Sequence, residues 1–188
     1  HVEAWESAHV EARESAHVVA WGSAHVEAWG SAHVEASQYV AVHQHSERAV
    51  VLGGTVIRVK TPTTAVEWAA FYGVPVEDGT IVVYKALRDD YRSSHGFLYA
   101  PGTIAEAPDW DGGERECGGG LHFSPHPGIA VSFDTEATRF LACPVALEDI
   151  RAPKESDSYP AKIKARRTCG PVYEVDRRGQ PIGLAAST

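Results

Sequence analysis

The sequence contains no methionine, few cysteines and no long apolar run, and each absence excludes something. No stretch is long enough to span a bilayer as a helix, and no signal-peptide pattern opens the chain. The three cysteines, Cys117, Cys143 and Cys169, are odd in number and widely spaced. That fits a reduced intracellular chain better than a disulfide framework. Basic tracts are missing too. The formal net charge is −8, which argues against non-specific binding to nucleic acid. Without methionine there is no initiator, and the first residue falls inside a repeat. The chain is therefore read as a fragment, a processed product or a partial sequence, with further octads expected before His1.

What is present is repetition. The chain opens "HVEAWESAHVEARESAHVVAWGSAHVEAWGSAHVEA", four copies of one octapeptide and the start of a fifth. Such periods are read first, because they dictate architecture. Eight is even, so strand parity survives every copy. Apart from the Glu or Gly of the bend, even positions carry Val and Ala; odd positions carry His, Glu, Trp or Arg, and Ser. Period-two alternation makes each octad a strand with a small apolar face and a polar face. The Gly-Ser or Glu-Ser pair is the place to bend. Short strands at fixed spacing predict a β-solenoid whose coils pair in parallel around a thin core.

Coils stacked roughly 4.8 Å apart would align like residues into ladders. One ladder is expected to hold His1, His9, His17, His25 and His33, and another Trp5, Trp21 and Trp29 with Arg13 among them. Two or three octads per coil, or an intertwined multi-chain helix, fit equally. Val42 and Val50 continue the Val row, so the solenoid (residues 1–59) is expected to run to about Val59, with a bend at Gly53–Gly54. A histidine array invites a metal reading. The plainer reading is a solvated face that keeps the β surface soluble. Exposed Trp rows could form an adhesive or oligomer surface.

Residues 60–79 read as a helix and linker capping the solenoid. Thr64 and Glu67 suggest a capping box, and Gly73 sits where a C′ glycine would. Residues 80–176 read as a small, mostly antiparallel α+β domain. "VEDGT" is a turn and "IVVYKAL" an apolar strand. "HGFLYAPGT" is a strand and turn, and "APDWDGGERECGGG" a loop. "LHFS" is a strand and "PHPGIAVSF" a short helix opened by prolines. "TRFLACPVAL" is a buried strand, and "YPAKIKARR" an edge strand with Lys162, Lys164 and Arg166 on its outer face. "PVYEV" is a last strand, "SDSYP" a loop, and 177–188 a flexible tail.

The densest chemistry lies in "CGGGLHFSPH". Cys117, His122 and His126 are weak metal-ligand candidates, because C-x4-H-x3-H lacks a fourth ligand. A Cys117–His122 nucleophile pair is the alternative, and a tight turn with no chemistry the plainest. Tyr84 and Lys85 stand near the end of an apolar strand, where site residues often sit. Glu148 and Asp149, after the buried strand, could serve as acids or simply start a loop.

Two family resemblances follow from these residues. Tyr84, Lys85, Gly96, Phe97, Tyr99, Gly102, Cys117, Gly120, His122 and Lys162 resemble, over residues 80–167, a domain of unknown function common in phage and mobile-element proteins. That resemblance implies association with short β repeats and no established activity. "GGGLHFSPHPGIAVSF" is similar to the strand and helix that line the nicotinamide pocket in ADP-ribosyltransferases of the poly-ADP-ribose polymerase type. This implies NAD as cofactor, Gly119, Gly120 and Phe123 against it, and Tyr84, Lys85, His122, Ser124 and Glu174 as the catalytic set. The chain departs from that family at Tyr84-Lys85, where His-Gly or Arg-Gly stands.

The leading expectation is a structural or interaction protein of phage or mobile-element type, cytoplasmic in a bacterial host or virion-associated. The solenoid would be a rigid spacer or assembly surface for a protein partner or for self-association into an oligomer. The terminal domain would cap it, since an open solenoid end exposes unpaired strand groups. The ADP-ribosyltransferase reading is the rival, and a metal-binding His array the third.

Overall fold

A computed structural model describes residues 1–113, 115–151, 153–154, 157 and 159–182. The chain divides into two compact units, His1–Thr61 and Pro62–Thr188.

The first unit is a β-solenoid of about four turns. Its strands are β1 (Val2–Ala4), β2 (His9–Ala12), β3 (His17–Ala20), β4 (His25–Ala28), β5 (His33–Gln44) and β6 (Val50–Arg58). All pair in parallel, in the order β1-β3-β5-β4-β2, with β6 also on β5. Val2 lies opposite Val18, Val18 opposite Val34, Val10 opposite Val26, and Val26 opposite Val42. Each offset is sixteen, so a coil takes two octads and has two strand faces. Ala4, Ala12, Val18, Ala20, Val26, Ala28, Val34 and Val42 are buried between those faces, as parity requires.

Two strands per coil correct the ladders. The histidines form two rows rather than one: His1, His17 and His33 on one face, and His9 and His25 on the other. The indoles divide likewise. Trp5 stacks on Trp21 at 4.1 Å, while Arg13, Trp29 and His45 form a separate row.

The corners use left-handed backbone, at Glu6 (φ 57°), Glu14 (58°), Gly22 (71°) and Gly30 (60°). Each upper corner rests on the one below: Ser23 N–H donates to the Glu6 carbonyl and Ser31 N–H to the Glu14 carbonyl, both at 2.8 Å. In the fourth coil Gly53 and Gly54 bend the chain across a corner that the third coil takes through residues 37–40, and the register shifts there.

The second unit contains α1 (Ala65–Phe71), β7 (Val76–Glu77), β8 (Thr80–Leu87), β9 (Leu121–Phe123), α2 (Pro127–Ala130), β10 (Arg139–Ala146), β11 (Ile150–Arg151), β12 (Ile163–Ala165) and β13 (Tyr173–Val175). One antiparallel sheet runs β13-β10-β8-β7 and a second β11-β12-β9. A two-residue Asp78–Gly79 turn, both φ positive, closes the β7–β8 hairpin.

Strands β8 and β10 are buried on both faces. Ile81, Val83, Leu87, Leu141, Cys143 and Val145 enter the larger core with Trp68, Phe123 and Ile163. Ala86, Phe140 and Ala142 enter a smaller one with Ala130 and Val175. Helix α1 starts as expected, with Thr64 Oγ1 accepting from Glu67 N–H, and the Glu67 carboxylate accepts from Thr63 N–H and Oγ1. It ends in a Schellman turn at Gly73, where Val74 N–H donates to the Ala69 carbonyl at 2.8 Å. Its Trp68 is fully buried in this unit's core and donates to the Pro160 carbonyl, so the helix is an integral part of the second unit.

Three expectations need correction. "HGFLYAPGT" is irregular, held by a single Arg92–Leu98 bridge rather than forming a strand. Strand β12 is the middle of its sheet, not an edge. Lys164 is 2 % exposed, because Asp111 Oδ1 and the Arg115 carbonyl accept from its Nζ at 2.7 and 2.8 Å. Of the tail, Pro181 bridges to Val175, and residues 183–188 lie outside the described residues, as do Ser156 and Ser158 of "SDSYP".

Candidate functional site

Two clusters of chemically capable side chains stand out, one in each unit. The first is on the outer face of the solenoid. His25 and Glu27 are two apart on β4, so they share a face. The next coil places His43 opposite Glu27, and His45 opposite Trp29 one outward position further on. His25 Nε2 lies 2.7 Å from Glu27 Oε1, and His43 Nδ1 lies 3.0 Å from the same oxygen. His45 Nε2 hydrogen-bonds Glu27 Oε2. The rings are held by stacking: His25 on His9 at 4.8 Å, and His45 flat on Trp29 at 3.8 Å.

Partial burial alone would raise the Glu27 carboxyl, but the hydrogen bonds from His25, His45 and His43 outweigh it. They hold the group down at about 2. Among the described residues, His25, Glu27 and His43 are the one set of three side chains spaced to hold a metal, with ligand atoms all within 4.8 Å of one another.

The second cluster is a recess beside β8 and β9, lined by Lys85, His122, Ser124, Phe133, Asp134 and Lys162. Lys85 projects from the core face of β8, and its Nζ donates to the His122 carbonyl at 2.9 Å. Burial lowers its ammonium to about 8. Burial, and then the charges of Lys85 and Lys162, lower His122 to about 4. Asp134 contributes a buried carboxylate oxygen that receives no hydrogen bond among the described residues. The recess encloses about 40 Å³, enough for a water or two. A cofactor-sized ligand fills roughly 300 Å³ or more.

The catalytic set read by resemblance is divided between places. Lys85, His122 and Ser124 share the recess. Tyr84 alternates to the opposite face of β8, where its ring lies 6.2 Å from His126. Glu174 lines a separate groove, where it accepts from Arg139 at 2.9 Å and Tyr91 at 3.1 Å.

The glycines and Phe123 have structural tasks. Gly119 and Gly120 N–H groups donate to Asp111 and Asp109, closing the loop over Lys164. Phe123 is buried in the larger core. The weak metal set is also dispersed: Cys117 Sγ faces Lys162 Nζ at 3.0 Å, His126 Nδ1 caps α2, and His122 Nε2 faces the Glu116 carbonyl. The Cys117 thiol therefore turns to a lysine rather than to His122. Asp149 pairs with Arg167 at 3.1 Å, a surface contact.

Sequence reasoning passed over Glu27, His43 and His45. The available signal was "AVHQHSER", a decayed octad that puts His where intact octads put Glu and Trp. It becomes readable only once the coil length is sixteen. No protein-family model, curated protein or solved structure matches the chain.

Proposed function

We propose that the protein is a structural or interaction protein, a rigid β-solenoid that presents an assembly surface, carried with a small partner-recognition domain. The phage or mobile-element setting suggested by residues 80–167 is part of this proposal. The observation that carries it is the fourth coil. Where the third coil turns His33, Glu35 and His43 outward, the fourth turns Val50, Leu52 and Ile57. Leu52 is 62 % exposed and Ile57 46 %. Among the described residues β6 pairs only with β5, so its other edge has no strand partner. An open strand edge flanked by apolar side chains is a template for pairing with another chain.

Sedimentation of the chain across a concentration series tests the reading. Association that rises with concentration and disappears in the double variant Leu52→Lys, Ile57→Lys is the expected result. A wild-type chain that stays monomeric throughout, or one that releases nicotinamide from NAD, would overturn it. Nicotinamide release lost in Lys85→Met would move the function to the recess.

A further inference from the structure

We propose that His25, Glu27 and His43 form a binding site for one divalent transition-metal ion, of zinc-like chemistry, on the outer face of the solenoid. Three features of the geometry converge on it. Imidazole nitrogen and carboxylate oxygen form the mixed donor set that zinc and its borderline neighbours prefer. The three donors come from backbone that is already fixed, two on β4 and one directly opposite on β5. Side chains paired across parallel coils need only rotamer adjustment to move from 2.7–3.0 Å hydrogen-bond contact onto a shared ion about 2 Å from each.

The surroundings fit as well. His45 donates to the second carboxylate oxygen and so orients Glu27, the part an outer-shell partner plays at metal centres. His45 is itself held flat against Trp29. Arg13, which lies over the Trp29 ring, is engaged by Glu11 at 3.0 Å. His25 and His43 keep about a third of their side-chain surface open, at 32 % and 29 %, which gives an ion a route in. Binding displaces the protons that now bridge imidazole and carboxylate, and the ion takes their place. Three protein ligands leave a further coordination position for water.

The other histidine row supplies the internal control. His1, His17 and His33 also follow one another along their face, tilted or edge-on rather than flat, but the strand opposite Glu35 presents Leu52, not a histidine. Repetition alone therefore makes a ladder of rings, and only the substitution of His43 for Glu makes a site.

Titration of the whole chain with zinc, followed by calorimetry, tests the proposal, with cobalt absorption reporting the coordination geometry. The expected result is saturation at one ion per chain. Glu27→Gln and His43→Ala each abolish that saturation while circular dichroism shows the strands intact. His45→Ala keeps the stoichiometry and weakens affinity about 10- to 100-fold, as loss of an outer-shell partner does. The triple variant His1→Ala, His17→Ala, His33→Ala binds as the wild type does. Equal weakening by that triple variant, several ions per chain, or no heat with zinc would each overturn the site.

Discussion

His122 shows how one residue's surroundings make a pH response. Its imidazole is held at about 4, first by burial and then by the ammonium groups of Lys85 and Lys162. In the unfolded chain an imidazole takes its proton near 6.5. Between those values the unfolded chain binds more protons than the folded one, so acid favours unfolding. This contribution is complete above about pH 6.5 and is lost as the pH falls towards about 4. Urea unfolding at a series of pH values is expected to show His122→Gln losing less stability than wild type over that range. Identical slopes would mean that the imidazole is open to solvent. Lys164 carries the same lesson in packing. Parity along "AKIKA" assigned it correctly to the face opposite Ile163, but the loop holding Asp109, Trp110 and Asp111 folds over that face. Alternation along a strand says which face a side chain takes, and says nothing of what covers it.

At the scale of the element, the solenoid corner shows a rule that one octad cannot contain. Glu6 and Gly22 hold the same octad position and both have positive φ. A Cβ on Gly22 would sit 2.9 Å from the Glu6 backbone beneath it. A side chain at Gly22 would therefore press on the backbone of the coil against which this corner packs. Gly22→Ala is expected to cost about 2 kcal/mol, combining left-handed strain with the close approach. Glu6→Gly is expected to stabilise by about 1 kcal/mol, since only the strain is relieved. Chemical denaturation followed by circular dichroism measures both, and equal effects of opposite sign would show that stacking adds nothing. Helix α1 was legible almost residue by residue, because its caps are local: Thr64, Glu67 and Gly73 act within one turn. "HGFLYAPGT" was not, because Tyr99 and in part Phe97 pack into the core from irregular backbone while Leu98 stays exposed. Apolar content signals burial there, not a strand.

For the whole molecule, the decisive fact is that each unit has its own core. Val18, Val26, Val34 and Val42 make a thin one in the solenoid, and Trp68, Phe123, Leu141 and Ile163 a thicker one in the second unit. Trp68→Ala removes a fully buried indole and is expected to cost about 3–5 kcal/mol. Calorimetry should show that loss in one transition, with a second transition unmoved. Val26→Asp should move the other, because it buries a carboxylate between the two strand faces of the solenoid. A single transition shifted equally by both variants would refute separate cores. The catalytic set read by resemblance lies wholly in the second unit and is dispersed within it. Strand parity already separated Tyr84 from Lys85, and the position of Glu174 on β13 sends it to a groove of its own.

The sequence by itself determined the solenoid, the inward Val and Ala and outward His, Glu and Trp of its intact octads, and the helix and main strands that follow. These are consequences of parity, caps and turns, which act over a few residues and need no knowledge of distant partners. Val50, read into the Val row, instead turns outward, because the last coil slips by one residue and sets Val51 opposite Val34. Only the tertiary structure decided that a coil is two octads long, that the histidines form two rows, and that Lys164 is buried. It also decided that His25, Glu27, His43 and His45 meet. The physical reason is that coil length is set by how two faces close around a Val and Ala core. The register between coils then brings together residues sixteen and eighteen apart, and no local pattern in the chain records that distance.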